Sequence, residues 1–67
     1  MEKGTRILTA TLKTTFRIAG RWGRDIVLED TTRGSDMVMI YEEREFENML
    51  KEGLFIELNS IGEPIKR

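Results

Sequence analysis

Residues 8–18 alternate between apolar and polar side chains, and this alternation constrains the fold more than any other feature of the chain. Apolar side chains occupy the even positions, with Thr14 as the one interruption: Leu8, Ala10, Leu12, Phe16 and Ile18. Polar side chains occupy the odd positions: Thr9, Thr11, Lys13, Thr15 and Arg17. A period of two residues with several β-branched side chains predicts a strand that has one face in the core.

The length of this segment favours one long bent strand. No Gly, Pro, Asn or Asp lies between Thr5 and Ala19, so a tight turn near Lys13 and Thr14 lacks the residues that turns favour. A bent strand that serves two sides of a small barrel explains both the length and the unbroken alternation. The alternative is two short strands joined by an unfavourable turn.

The remainder of the chain predicts three further strands and one helix. In chain order we expect a loop at 20–24, a strand at 25–30, a turn at 31–35, a strand at 36–41, a helix at 43–52 and a strand at 54–58. Gly34 and Gly53 are expected to take left-handed conformations in the turn and at the end of the helix. In the tail, Ile65 can add a short edge strand whose pairing Pro64 limits.

The strand predicted at residues 36–41 is apolar on both of its faces. Strands of this kind are covered on both sides. The helix can cover one side, and the other side then needs the opposite wall of a barrel or a second subunit. We therefore expect a homodimer or a higher homo-oligomer.

These elements predict a mainly β (α+β) fold in which residues 1–67 form one small domain. Two architectures fit the order of elements: a small partly open β-barrel of the OB or SH3-like kind, or a four-stranded antiparallel sheet, each with one short helix before the last strand. The core is thin, because a chain of this length buries only about 60% of its unfolded surface.

The amino-acid composition excludes most catalytic chemistry. The chain has no His and no Cys, so it cannot form a Ser-His-Asp or Cys-His arrangement or a common zinc site. Asp30 and Asp36 flank one turn, but two carboxylates without further oxygen ligands are a weak calcium signal. We predict a protein without catalytic residues, cofactor or metal. The lack of Cys, of a signal-peptide-like segment and of a membrane-length apolar run favours a cytoplasmic location.

Residues 20–24, Gly-Arg-Trp-Gly-Arg, have the composition of a binding loop. Two guanidinium groups flank an indole, which combines phosphate binding with a flat surface for stacking an unpaired base. The first 24 residues carry six basic and one acidic side chain, whereas the rest carry five basic and eleven acidic ones. The candidate nucleic-acid-binding residues are Lys13, Arg17, Arg21, Trp22 and Arg24. The alternatives are that Trp22 belongs to the core and that the two halves neutralise one another.

Two stretches resemble parts of known nucleic-acid-binding families. The G-x-x-G spacing of residues 20–23 is similar to the KH loop, although that loop joins helices and this one joins strands. Residues 25–30 and 33–38 resemble fragments of the two Sm-type motifs, and this resemblance implies an RNA-binding ring of small barrels. The chain departs from the Sm pattern in lacking the N-terminal helix, in the short spacing of the fragments and in its helix before the last strand. We assign it to neither family.

Two functions remain open from the sequence. The first is a small non-enzymatic nucleic-acid-binding protein of low sequence selectivity that uses the loop between the first two strands. The second is a protein-interaction or regulatory module, such as a dimeric adaptor or an inhibitor subunit from a prokaryote or its virus. In the second case the acidic helix or the two-sided apolar strand contacts the partner.

Overall fold

The computed structural model describes residues 2–65, which form one five-stranded antiparallel sheet and one helix. The elements are β1 (Arg6–Thr9), β2 (Thr14–Trp22), β3 (Asp25–Asp30), β4 (Val38–Glu42), α1 (Glu43–Lys51) and β5 (Phe55–Leu58). The strand order is β4-β3-β2-β1-β5, and every neighbouring pair is antiparallel. The mainly β fold with a short helix before the last strand is confirmed, with a sheet that does not close.

The prediction of one long bent strand is wrong, and the alternative of two strands is correct. Thr9 ends β1 and Thr14 begins β2. The turn between them closes through the backbone bond from Lys13 N–H to the Thr9 carbonyl, at 2.7 Å. Lys13 has a left-handed φ of 53° without being glycine. The Thr9 hydroxyl donates to the Thr14 carbonyl at 2.9 Å and accepts from the Thr14 N–H at 3.3 Å. The Thr9 side chain thus adds two hydrogen bonds to the backbone bond that closes the turn.

This turn also changes which positions face the core. In β1 the buried residues are Ile7 and Thr9, at odd positions, whereas β2 buries Phe16 and Ile18, at even positions. Ile7 pairs directly with Phe16 across the two strands. The even-position alternation predicted for the whole segment therefore holds only in β2.

The core lies between α1 and one face of the sheet, which we call the inner face. Its buried apolar side chains are Ile7, Phe16, Ile18, Ile26, Leu28, Phe46 and Phe55. Contacts of α1 with β3, β4 and β5 place the helix across the two edge strands. The Tyr41 ring of β4 meets the Phe55 ring of β5 edge to face at 5.2 Å, and Phe46 of α1 lies 5.6 Å from Phe55. An aromatic cluster therefore connects the two edges that the sheet leaves unjoined.

The helix has the signals expected from its sequence. Two acidic residues in its first turn and Lys51 in its last turn are favourable to the helix dipole. Gly53 follows the helix with a φ of 77°, and its N–H donates to the Leu50 carbonyl at 3.2 Å. Among residues 2–65, no helix is long and apolar enough to cross a membrane.

The turn after β3 is held by the side chain of Asp30. Its carboxylate accepts hydrogen bonds from the Thr32 N–H and the Ser35 hydroxyl, each at 2.9 Å. The Thr32 bond, followed by the Ser35 bond, holds the pKa of Asp30 below its usual value, because both bonds favour the charged form. The carboxylate therefore stabilises the turn at neutral pH, and this stabilisation is lost as the pH falls through the lowered folded-state pKa. Gly34 has the predicted left-handed φ, at 84°.

The tail of the chain covers one edge of the sheet. The tail folds back along β5, where the Asn59 N–H donates to the Glu63 carbonyl at 2.7 Å and the Ile65 N–H donates to the Glu57 carbonyl at 2.9 Å. Pro64 forms an isolated bridge with Leu58. The predicted pairing around Ile65 is thus present as a short bridge, and it covers the β5 edge.

Candidate binding surface on the outer face

Trp22 is on the surface, at the end of β2. Its side chain is 74% exposed, so the alternative that it packs into the core is wrong. The loop is also shorter than predicted, because β2 continues through Trp22 and only Gly23 and Arg24 form the turn. Gly23 has a φ of 61°, a conformation that costs glycine little.

A β-bulge in β2 explains why the indole points outward. Ile18 pairs with Leu28 and Gly20 pairs with Val27, so Ala19 is an extra residue in the ladder. An extra residue reverses the alternation of faces along the strand. Trp22, at an even position like Ile18, is consequently on the opposite face of the sheet, which we call the outer face. The same bulge places Arg21 on the inner face, where it pairs with Ile26.

Two of the predicted arginines are engaged with glutamates. The Arg17 Nε donates to Glu29 Oε1 at 2.8 Å across β2 and β3. The Arg21 Nη1 lies 3.0 Å from Glu43 Oε1 at the start of α1. These pairs join the basic first part of the chain to the acidic second part. They are solvent-exposed and each contributes only about 0–1 kcal/mol, so a stronger ligand can displace them.

The remaining candidates lie at opposite ends of β2. Arg24 is exposed in the turn next to Trp22, and its carbonyl accepts the Glu43 N–H at 2.9 Å. Lys13 is in the turn before β2, nine residues from Trp22, which at roughly 3.3 Å per residue is up to about 30 Å. The structure therefore brings Trp22 and Arg24 together, places Arg17 between the two ends on the outer face and separates Lys13 from the indole.

Beside Trp22, the outer face has a shallow apolar groove of about 340 Å³. Its lining is Ala19, Gly20, Arg21, Trp22, Val27, Val38 and Ile40. Val38 and Ile40 are 55% and 50% exposed, so β4 is covered on one side only in the single chain, and the prediction that both sides are covered is not met within it. We call Ala19, Trp22, Val27, Val38 and Ile40 the outer-face patch.

The sequence alone identifies some residues of the outer-face patch but does not predict that they lie close together. Val38 and Ile40 stood out as the second apolar face of a strand, and Trp22 as a loop residue. Ala19 and Val27 carried no signal of their own. Their proximity depends on the bulge and on the pairing of β2 with β3 and of β3 with β4, which are long-range features.

The charges around the patch are mixed. Asp25 is the cross-strand partner of Trp22, and Glu42 is the partner of Asp25, so two acidic side chains extend in a row from the indole. Arg24 is the basic residue of the adjacent turn. The surface around Trp22 is therefore apolar with an acidic flank.

A larger groove of about 560 Å³ lies on the inner side, between α1 and the ends of β2 and β3. Its apolar floor includes Ile26 and Phe46, which already belong to the core. Arg21 and Glu43 bond to each other at its rim. We place the candidate site on the outer face instead, because the apolar side chains there have no covering element in the described part of the chain.

A scan against protein-family models, a search of curated proteins and a search of solved structures found no significant match to this chain. The candidate surface therefore rests on its geometry.

Proposed function

We propose that the chain is a non-catalytic protein-interaction module whose outer-face patch docks a partner protein. The observation that carries this proposal is the 74% exposure of Trp22 beside an apolar groove. An indole that enters a complementary pocket is among the strongest contributors to protein–protein binding. Val38 and Ile40 extend the patch along β4 and provide apolar surface around that anchor.

The charge distribution supports a protein partner over a nucleic acid. Asp25 and Glu42 are on the Trp22 side of the sheet and repel phosphate. Arg17 and Arg21 already pair with glutamates, which offset their positive charge. Nucleic-acid affinity depends on the number of phosphates neutralised by free basic groups, and few such groups surround Trp22.

Photo-crosslinking tests the proposed docking surface. We expect benzoylphenylalanine in place of Trp22, in the cells that make the protein, to form a covalent adduct with a protein. The same group at Leu12, an exposed apolar residue in the β1–β2 turn, is the matched control and should give no such adduct. The adduct is identified by mass spectrometry, and the purified partner is then titrated. Trp22→Ala should weaken its binding by about 30-fold, which corresponds to the roughly 2 kcal/mol of a binding hot spot.

Two results would contradict the protein-docking proposal. One is equal labelling of proteins from positions 22 and 12. The other is an adduct from position 22 that contains nucleic acid and no protein.

Nucleic-acid binding remains the second candidate, and the proximity of two exposed side chains at one end of the β2–β3 hairpin favours it. Trp22 and Arg24 have no side-chain hydrogen bond or ion pair to other described residues, so both are available to a ligand. The indole can stack on an unpaired base while the guanidinium binds the adjacent phosphate. Arg17 and Arg21 would add phosphate contacts by releasing Glu29 and Glu43. Lys13 would extend the contact further along the bound nucleic-acid strand.

A titration with single-stranded oligo(U) and oligo(dT) separates the two functions. With the outer face as a protein-docking surface, we expect the fluorescence of Trp22 to stay unchanged at micromolar concentration in low and moderate salt. Quenching that weakens as salt rises would instead support nucleic-acid binding. In that case Arg24→Ala should reduce the salt slope by about 1, whereas Arg33→Ala, which removes an exposed arginine from another turn, should leave it unchanged.

A further inference from the structure

We propose that a second copy of this chain pairs with the open edge of β4, so that two sheets join into one. The main-chain hydrogen bonds at the two ends of β4 show which of its residues face β3. The Asp30 N–H donates to the Met37 carbonyl at 3.0 Å, and the Glu43 N–H donates to the Arg24 carbonyl at 2.9 Å. In an antiparallel ladder these bonds recur at every second residue. Odd positions of β4 therefore bond to β3, and even positions direct their N–H and C=O away from the sheet.

The outward-directed groups belong to Val38, Ile40 and Glu42. No other described strand lies beside β4 on that side, because β4 is the last strand in the order. The opposite edge differs, since residues 63–65 bond to the outward groups of Glu57 and Asn59. Sheet edges that remain open in monomers commonly carry Pro, Lys or a bulge that prevents pairing. Residues 38–42 contain no Pro and no Lys, and their register with β3 is regular.

The side chains along this edge are also those that gain from being covered. Val38 and Ile40 are about half exposed on the outer face, and Met37 before them is exposed as well. A strand added beside β4 places its own side chains next to them. A stable interface buries about 800 Å² per partner, roughly a sixth of the 5029 Å² surface of this chain. Pairing of the β4 edges, together with contacts between the adjoining apolar side chains, can bury an area that approaches this value.

Charge complementarity selects a second copy and one register. A second copy related by a two-fold axis can pair antiparallel with β4 in two registers. Both registers keep most of β4 paired, and both place the outward-directed main-chain groups of the two copies opposite each other. In the first register Met39 lies opposite Met39 of the second copy. Asp36 then lies opposite Glu42 of the second copy, and like charges meet. If Ile40 lies opposite Ile40 of the second copy, the strand direction brings Asp36, two residues before β4, towards Arg44 of the second copy in the first turn of α1. Opposite charges then meet, and the positive end of the helix dipole also favours the carboxylate.

The register centred on Ile40 therefore defines the interface. Ile40 exchanges two main-chain hydrogen bonds with Ile40 of the second copy, and Val38 lies opposite Glu42 of the second copy. The two sheets form one continuous sheet across the two-fold axis. The outer-face patches of both copies meet at that axis and form one doubled surface. This inference stands on the main-chain edge and does not require the proposed docking function.

A charge-swap experiment tests the register directly. We expect the wild-type chain to sediment at about twice its 7.8 kDa mass. Ile40→Lys and Ile40→Glu should each sediment as a 7.8 kDa monomer, because like charges then face each other across the axis at about 5.5 Å between Cα atoms. An equimolar mixture of the two variants should restore the dimer. Native mass spectrometry should show that this dimer contains one chain of each kind.

Matched controls separate pairing from folding. Leu12→Lys and Leu12→Glu change an exposed apolar residue in the β1–β2 turn, away from the β4 edge, and should remain dimeric. Circular dichroism should show that all four variants keep the wild-type spectrum. Trp22→Ala should also remain dimeric while it loses the crosslinked partner, so the docking function and the pairing of copies can fail separately.

Three results would overturn the proposal. A wild-type chain that is monomeric at about 1 mM, a concentration at which even weak pairing is populated, would exclude it. A dimer that persists in Ile40→Lys would place the interface elsewhere. Folded monomers of both charged variants that do not combine on mixing would exclude the register.

Discussion

Phe46→Ala is expected to lower the free energy of unfolding by about 3–5 kcal/mol, the cost of removing a large aromatic side chain from a core. Phe46 is 1% exposed and is the buried residue of α1. Its ring lies 5.6 Å from Phe55, which itself contacts Tyr41. The side chain therefore packs the helix against β5, and through Phe55 it supports Tyr41 of β4.

The effect is large relative to the total stability. Domains have about 0.05–0.15 kcal/mol of stability per residue, so a chain of this length has little in reserve. We expect a sizeable unfolded population of Phe46→Ala at 25 °C, measured by urea unfolding with circular dichroism. Phe46→Leu should cost much less, because it fills most of the same volume.

Trp22→Ala, which removes an exposed aromatic side chain, is the matched control for Phe46→Ala. It should change stability by no more than about 0.5 kcal/mol, because Trp22 is on the surface. If Phe46→Ala and Trp22→Ala had equal effects on unfolding, the helix would not be what holds the two edges together.

Thr9→Val is expected to destabilise the chain by about 1–3 kcal/mol, even though valine matches threonine in shape. Thr9 is 1% exposed, and its hydroxyl bonds to both the carbonyl and the N–H of Thr14. Valine removes both bonds from the turn that connects β1 and β2. Lys13 in the same turn has a left-handed φ, which the surrounding bonds must maintain.

The Thr9 prediction is measured by urea unfolding and by hydrogen exchange of the Thr14 amide, which should lose protection. Thr9→Ser retains the hydroxyl and should keep the protection of that amide. Thr11→Val changes an exposed threonine in the same turn and should be nearly neutral. A Thr9→Val chain as stable as the wild type would mean that the side chain is buried only as an apolar group.

Several elements could be predicted from the sequence because their signals are local. The strand at residues 25–30 has the predicted bounds, and the helix and the last strand differ by one residue at one end. Apolar side chains at helical spacing followed by Gly53 define α1 without reference to any other part of the chain. The same is true of the turn at residues 31–35, where Gly34 supplies the left-handed conformation.

The candidate site was predicted less completely. The sequence drew attention to Trp22 and to the arginines beside it in the chain, and it showed an apolar second face at Val38 and Ile40. It did not show that Arg17 and Arg21 bond to glutamates of the second half, since those partners are 12 and 22 residues away. Neighbours in space that are distant in sequence follow from strand pairing and cannot be read from composition.

The sequence by itself determined the segments that form β3, α1 and β5, and the lack of His and Cys that limits the chemistry. The tertiary structure decided which face each strand presents. The four-residue turn after Thr9 shifts the buried positions from odd to even, and the bulge at Ala19 turns Trp22 outward. A strand's alternation has a period of two, so a single inserted residue exchanges its faces. Whether such a residue is inserted is settled by pairing between strands, which requires the whole sheet.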